Sequence, residues 1–147
     1  AAMAQPAAAL HAAGGGRTLS VLVVDNEPEI VAATTALLEG MGHTVTGATD
    51  MASALRHVRG ADVLLADYHL ENGEDGLRLI DQARARNPAL AVALVSAEGG
   101  ADLRKRLRLR RVPLFVKPAD PAAIEAFLRE VAGRAGTHPS DGRGKAQ

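Results

Sequence analysis

Five short apolar runs alternate along the chain with five segments of helical periodicity, and this alternation limits the possible folds more than any other feature. Most of the runs are rich in Val and Leu and apolar at successive positions, as parallel strands buried on both faces are. The runs occupy residues 19–24, 44–47, 63–66, 91–95 and 114–116. Strands that alternate with helices predict an α/β fold, in which right-handed crossovers build a doubly wound five-stranded parallel sheet.

The segments between the runs carry the start and stop signals of helices. The first helical pattern covers residues 28–40, the third ends at Asn87 before a proline, and the fourth covers residues 102–110. Asp50 and Asp120 stand where the N-caps of the second and fifth helices are expected. The sequence therefore predicts five helices, one after each strand.

The composition excludes several classes of protein. The chain has no Cys, which excludes disulfides, thiolate metal sites and thiol catalysis. Its 17 basic and 17 acidic side chains balance, and its aromatic content is 2%, so we expect no nucleic-acid partner. No apolar run approaches the roughly 18 residues of a membrane span. We therefore expect a cytoplasmic domain without membrane contact, even if its parent polypeptide is anchored in a membrane.

Both ends of the chain depart from the alternating pattern. Residues 1–17 are rich in Ala and Gly and predict a linker, whereas residues 136–147 predict a disordered tail. The folded domain is expected at residues 18–135. Because the chain does not begin with Met, we expect a piece of a longer polypeptide, with a stand-alone regulator as the alternative.

Polar side chains follow four of the predicted strands. Asp25 and Asn26 follow the first strand, Asp67 the third, Ser96 the fourth and Lys117 the fifth. Because ligands of open α/β sheets bind outside the carboxyl ends of the strands, we expect these side chains to converge. Carboxylates, water and phosphate oxygens are the usual ligands of Mg²⁺, and a hydroxyl and an ammonium suit phosphoryl oxygens. The pattern predicts a metal-assisted phosphoryl site.

The segments around these positions resemble the receiver domains of response regulators. The likeness is carried by VLVVDNEP at 21–28, LLADYHL at 64–70, VSA at 95–97 and FVKP at 115–118. The resemblance implies a flavodoxin-like sheet of strand order 2-1-3-4-5 and a cis peptide bond before Pro118. More narrowly, the DYHL segment and its Gly-containing loop are similar to receivers at the C-terminal end of hybrid sensor histidine kinases.

The resemblance implies a phospho-acceptor and a metal site. Asp67 would attack the phosphorus of a donor phosphohistidine and become an aspartyl phosphate. Asp25, Asn26 and the backbone carbonyl of His69 would hold Mg²⁺ together with Asp67. The domain would then catalyse its own phosphorylation and dephosphorylation, with a histidine kinase or a histidine phosphotransfer protein as its partner.

The resemblance also implies roles for residues around the phosphoryl group. The Ser96 hydroxyl would turn toward that group after phosphorylation, and Lys117 would bind one of its oxygens. His69 and Glu98 lie two residues past Asp67 and Ser96, where family members often tune the rate of dephosphorylation. The alternative for His69 and Glu98 is that both are exposed turn residues without a role.

Two positions depart from the family pattern. Asn26 stands where a second carboxylate is usual, so we expect weaker Mg²⁺ binding. Leu114 stands three residues before Lys117, where many receivers have an aromatic switch residue, and Phe115 is expected on the opposite face of its strand. The departure at Leu114 fits a domain that relays phosphate onward better than one that switches an attached output domain. The alternative is a pseudo-receiver that acts as a phosphorylation-independent interaction module.

Six of the eight residues from 104 to 111 are basic. The simplest interpretation is a solvated helix face. The sharper hypothesis is a docking face on helix 102–110, with Arg104, Arg106 and Arg108 as contacts for an acidic partner or for a homo-oligomer.

Overall fold

Five parallel strands form one sheet in the order β2-β1-β3-β4-β5, which confirms the predicted flavodoxin-like topology. The computed structural model describes the backbone of residues 17–146 and the side chains of residues 17–134. The strands are β1 (Ser20–Val24), β2 (Thr44–Ala48), β3 (Val63–Asp67), β4 (Ala91–Ser96) and β5 (Leu114–Val116). Their carboxyl ends all meet at one edge of the sheet, because every pair is parallel.

Five helices connect and cover the strands. They are α1 (Pro28–Gly40), α2 (Met51–Leu55), α3 (Gly76–Arg86), α4 (Ala101–Arg110) and α5 (Pro121–Ala146), with 3₁₀ turns at Val58–Gly60 and Glu71–Gly73. The predicted caps are present: Asp50 accepts a hydrogen bond from the Ser53 amide at 2.8 Å, and Asp120 accepts one from the Ala122 amide at 3.0 Å. Each carboxylate pairs an amide that the first helical turn leaves unsatisfied.

The predicted linker lies outside the described residues, apart from Arg17. Helix α5 continues through the segment for which a disordered tail was predicted, but the side chains past Arg134 are not described. The domain limits at 18 and 135 therefore stay predictions.

Successive residues of the central strands point to two separate cores. On one face, Leu22 and Leu64 pack with buried side chains of α2, α3 and α4. On the other face, Val23 and Leu65 pack with α1 and α5. Each fully buried Leu contributes roughly 1.5–3 kcal/mol, so both cores hold the sheet rigidly. The sheet edge is thus a firm support for the side chains that it carries.

Strands β3 and β4 each end one residue later than predicted. Asp67 pairs in register with Val95, and Ser96 pairs with Val116, so both polar residues belong to the sheet itself. For each of them one neighbouring strand extends the ladder to this position, β4 for Asp67 and β5 for Ser96, which a pattern of apolar side chains does not reveal. Asp67 and Ser96 are therefore fixed by strand pairing instead of by a loop.

Candidate functional site

An ammonium group links two buried carboxylates at the carboxyl edge of the sheet. Lys117 Nζ lies 3.1 Å from Asp25 Oδ2 and 3.0 Å from Asp67 Oδ1. Asp25 follows β1, Asp67 ends β3 and Lys117 follows β5, so three strands bring these charges together. Asp25 is 4% exposed and Asp67 is 5% exposed. Two nearly buried carboxylates thus share a single ammonium.

Lys117 alone does not fully offset the burial of the Asp67 carboxylate. Burial raises the pKa of Asp67, the hydrogen bond from Lys117 opposes that rise, and the nearby charge of Asp25 adds to it. For Lys117, burial lowers the pKa, but hydrogen bonds to Asp67 and Asp25 outweigh burial and raise it. Lys117 therefore stays protonated, and the cluster has room for further positive charge.

Ser96 is fully buried beside this cluster. Its hydroxyl oxygen accepts a hydrogen bond from the Glu98 amide at 2.9 Å, and its carbonyl accepts one from the Lys117 amide at 2.8 Å. The second bond ties the ends of β4 and β5 together. The predicted hydroxyl and the predicted ammonium are thus held by the same strand pair.

Asn26 and His69 lie at the rim of the cluster. Asn26 is half-buried, and its side chain makes no hydrogen bond within residues 17–134, whereas the neighbouring Glu27 amide donates to Asp25 at 3.0 Å. The side chain of His69 is exposed and turns to Glu98, with Nε2 at 2.9 Å from Oε2. The two predicted rate-tuning residues therefore contact one another.

The residues of the cluster fit a divalent cation that needs only one or two protein carboxylates as ligands. Among residues 17–134 no group of three or more His, Asp or Glu side chains is suited to a metal ion. The carboxylates of Asp25 and Asp67 nevertheless both contact the Lys117 ammonium, and the half-buried Asn26 directly follows Asp25 in the chain. Mg²⁺ commonly binds through one or two carboxylates while water and phosphate oxygens complete its octahedron. That donor set is present here.

The end of β5 agrees with two further predictions. The peptide bond between Lys117 and Pro118 is cis. Leu114 packs against the core below α3 and α4, and Phe115 packs against the opposite core, where its ring meets Phe127 edge-on at 5.7 Å. Leu114 thus occupies the face on which many receivers have an aromatic side chain.

Three contacts of the site were not predicted from the sequence. The Arg106 guanidinium donates to the Tyr68 hydroxyl at 3.3 Å, and Arg104 donates to the Gly99 carbonyl at 2.6 Å. Two of the three arginines of the predicted docking face are therefore tied to the loops around the site, while the third, Arg108, is exposed. The third contact is at Gly76, where a methyl group would overlap the backbone carbonyl of Asp67. A glycine after a polar turn was the one local signal for this close approach.

A comparison with known families identifies the family of the chain. The family model of the response regulator receiver domain matches residues 21–129. The chain belongs to this family. A solved signal receiver domain of an HD domain-containing protein from Pseudomonas fluorescens Pf-5 superposes with a TM-score of 0.72 at 22% identity. That match covers 80% of this chain and 97% of the other, so the fold is that of a receiver.

Curated relatives share the domain but are longer. The transcriptional regulatory protein MalR of Bacillus subtilis is 29% identical over 117 residues, which cover 76% of this chain and 49% of MalR. The probable transcriptional regulatory protein TcrX of Mycobacterium tuberculosis is 33% identical over 89 residues, which cover 59% of this chain and 38% of TcrX. The chain therefore spans about half or less of these relatives, and it is similar to their receiver part.

None of the helices in the described part of this receiver is both long and apolar enough to cross a membrane.

Proposed function

We propose that this receiver accepts a phosphoryl group from a phosphohistidine onto Asp67, as a step of a two-component phosphorelay. The observation that supports this proposal most is the pair of buried carboxylates joined by Lys117 at 3.0 and 3.1 Å. In this proposal Asp67 serves as the nucleophile, Asp25 supplies a metal-binding oxygen and Lys117 is the cation that binds the phosphate. The donor would be a histidine kinase or a histidine phosphotransfer protein.

The transfer begins with the ionised carboxylate of Asp67. One Asp67 oxygen attacks the phosphorus in line, the bond from phosphorus to the donor imidazole nitrogen breaks, and the nitrogen keeps the bonding pair. Lys117 then exchanges its contact with the Asp67 carboxylate for one with a phosphoryl oxygen. The Ser96 hydroxyl, fixed at the end of β4, donates a hydrogen bond to another phosphoryl oxygen. These contacts stabilise charge that develops on the transferred group.

Mg²⁺ would be held by Asp25, Asp67, the amide oxygen of Asn26 and the backbone carbonyl of His69. When bound, the ion supplies positive charge between the carboxylates and the incoming phosphoryl group. The raised pKa of Asp67 supports this assignment. It means that the site destabilises the ionised form of Asp67, and a bound cation would stabilise that form.

The downstream step is better described as relay than as an output switch. Leu114 packs into the core and carries no ring that could change its rotamer with Ser96. A relay domain needs only to give up its phosphoryl group to another protein, so it does not require that ring. Together with the DYHL segment, this supports an origin in a hybrid histidine kinase.

The partner surface is proposed on α4. Arg108 is exposed, and Arg104 and Arg106 reach the loops that follow β4 and β3. A partner with an acidic surface, or a second copy of the chain, would be attracted to this cationic helix close to the phosphorylation site. The same proposal places the domain in the cytoplasm, where histidine kinases present their phosphohistidine.

One observation favours a second function. Asn26 removes a carboxylate from the metal site, and a domain that no longer binds Mg²⁺ would act as a pseudo-receiver, through protein contacts alone. The two functions differ in whether Asp67 accepts a phosphoryl group.

The test is Mg²⁺-dependent phosphorylation of the full chain by phosphoramidate, whose phosphorus–nitrogen bond mimics phosphohistidine. Intact-protein mass is recorded with Mg²⁺ and with a chelator, and Asp67→Asn is the matched control. We expect a gain of one phosphoryl group in the wild type with Mg²⁺ and none in the control. No gain at high Mg²⁺, combined with a gain in Asn26→Asp, would establish the pseudo-receiver.

A further inference from the structure

A wide groove lies at the edge of the sheet opposite the phosphorylation site. It has a volume of about 1270 Å³ and runs along the amino ends of β3, β4 and β5, with α5 as one wall. Part of its apolar lining comes from the exposed Pro113, the half-buried Phe127 and the buried Val131. Ligand pockets for small molecules usually measure roughly 300–1,000 Å³, so this groove has room for a larger ligand.

The groove is strongly cationic although the chain as a whole is neutral. Six arginines contribute to its lining against two carboxylates, Asp62 and Glu130. The arginines are Arg17, Arg59, Arg84, Arg111, Arg129 and Arg134. Because the total formal charge is zero, this surplus of four positive charges reflects segregation of charge to one end of the molecule.

Several of these arginines already have partners that fix the shape of the groove. Arg17 pairs with Asp62 at 3.3 Å, and Arg129 pairs with Glu125 at 3.1 Å. Arg84 donates to the backbone carbonyl of Arg110 at 2.6 Å and so stabilises the end of α4. These contacts make one part of the cationic lining structural.

The side chains of the other three arginines make no contact that fixes the shape of the groove within residues 17–134. Within residues 17–134, the guanidinium groups of Arg59, Arg111 and Arg134 take part in no hydrogen bond or ion pair, and all three residues are exposed. Arg111 also has a left-handed backbone, with φ at 57°, at the C-terminal cap of α4. That position favours Gly or Asn, and an arginine there is strained.

We propose that this arginine groove binds an acidic peptide segment of a partner protein, with apolar side chains between its carboxylates. The cations come from five separate segments of the chain, so they surround the groove instead of forming one point that a single phosphate would occupy. Guanidinium groups pair with carboxylates in a bidentate manner, and the apolar lining offers contact area for aliphatic side chains.

Other occupants fit the groove less well. Residues 1–16 contain no carboxylate side chain, and residues 135–147 contain only Asp141, so the ends of this chain offer almost no complementary charge. Single-stranded nucleic acid gains affinity by stacking on exposed aromatic faces, whereas the Phe127 ring is half-buried and packs edge-on against Phe115. A peptide rich in Glu and Leu combines the required charge and apolar surface.

The experiment measures binding of a fluorescent peptide of alternating Glu and Leu to the full chain by anisotropy at low salt. The triple variant Arg59→Gln, Arg111→Gln and Arg134→Gln removes the three unpaired cations. We expect its affinity to fall by roughly tenfold or more, because three charge contacts are lost. The matched control, Arg56→Gln, Arg78→Gln and Arg86→Gln, removes three exposed arginines outside the groove and should stay within about twofold of the wild type.

Three results would overturn the proposal. One is equal peptide affinity in the groove variant and the control, with both variants melting like the wild type. Another is tighter binding of single-stranded DNA than of the peptide, which would make nucleic acid the ligand. The third is self-association in sedimentation that the groove variant abolishes, which would make a second copy of the chain the occupant.

Discussion

At the scale of single residues, the chemistry of the site depends on one ammonium that is shared by two carboxylates. Lys117 contacts both Asp25 and Asp67. Under the proposed function, one of these contacts is exchanged for a phosphoryl oxygen. Burial of Asp67 keeps its pKa above the ordinary value, so an additional cation is stabilising there. In the proposed metal site, the residue at position 26 then sets how strongly a divalent cation is held.

Replacing Asn26 with Asp is expected to tighten Mg²⁺ binding by about tenfold. The new carboxylate adds one negative charge next to the metal position, and solvent reduces the effect from the roughly 4 kcal/mol of two charges 4 Å apart at an effective dielectric of 20. Calorimetric titration with Mg²⁺ measures the change. Gln82→Glu, which adds the same charge on α3, is the control, and an unchanged affinity in Asn26→Asp would contradict the assignment.

Replacing Asp67 with Asn is expected to stabilise the metal-free protein at neutral pH. Because the folded-state pKa of Asp67 is raised above its ordinary 3.8, its carboxyl group favours folding only while protonated, and that contribution is lost as pH rises through the folded pKa. In the presence of chelator, the melting temperature of the variant minus that of the wild type should therefore increase as pH rises from 4 to 7. Asp102→Asn, exposed on the first turn of α4, should show no such trend.

At the scale of elements, two loops meet above the sheet edge. His69 follows β3 and Glu98 follows β4, and their side chains join at 2.9 Å although both are more than half exposed. An exposed pair of this kind contributes at most about 1 kcal/mol, so it has little effect on folding. Under the proposed function, its position near Asp67 would give it influence on water that approaches an aspartyl phosphate there.

Breaking this pair is expected to speed dephosphorylation. His69→Ala or Glu98→Ala opens the gap between the loops, and a contact of up to about 1 kcal/mol corresponds to a rate change of at most about fivefold. Loss of the phosphoryl group is followed by intact mass after the donor is removed. The double variant should match the single variants, whereas Glu71→Ala, exposed in the same loop, should leave the lifetime unchanged. Additive effects would show that the two side chains act separately.

The contact between α3 and β3 predicts a large effect at Gly76. Its amide donates to the Tyr68 carbonyl at 2.7 Å, and a methyl group there would overlap the Asp67 carbonyl and lie 2.8 Å from Leu94 Cδ1. Gly76→Ala should cost roughly 1–3 kcal/mol in urea unfolding. Gly40→Ala, where a methyl group meets nothing within 4 Å, should instead be neutral or stabilising by up to about 1 kcal/mol. Equal stability of the two variants would contradict the close approach at Gly76.

The elements were predictable from the sequence because their signals are local. Apolar runs and helix caps such as Asp50 lie within a few residues of the backbone that they organise, and parallel topology then brings Asp25, Asp67 and Lys117 to one edge. The contact of Tyr68 with Arg106 joins residues 38 positions apart, and no periodicity reports it. Contacts between loops depend on distances that only the folded sheet sets.

At the scale of the whole molecule, charge is divided between the two edges of the sheet. The carboxyl edge carries Asp25 and Asp67, while the arginine groove lies at the amino edge. A neutral total therefore conceals a local surplus of arginines at the amino edge, which composition alone could not reveal. Helix α4 extends between these edges with its own cationic side chains, which makes it the proposed surface for the phosphodonor.

Removing Arg104, Arg106 and Arg108 is expected to slow phosphotransfer from a phosphohistidine protein by roughly tenfold at low salt, because electrostatic steering of the encounter is lost. Phosphorylation by phosphoramidate should change little, since a small donor needs no docking face. Stopped reactions resolved by intact mass give both rates for the triple Ala variant. If the protein donor and the small donor respond alike, α4 acts as a solvated helix face.

The most direct test of the central claim is to locate the phosphoryl group chemically. The chain is phosphorylated with Mg²⁺ and reduced with borohydride, which converts an aspartyl phosphate to homoserine, and its peptides are then sequenced by mass spectrometry. We predict homoserine at position 67 and Asp at position 25. Homoserine at another position, or Asp retained at 67 in a chain that has gained a phosphoryl group, would contradict Asp67 as the acceptor.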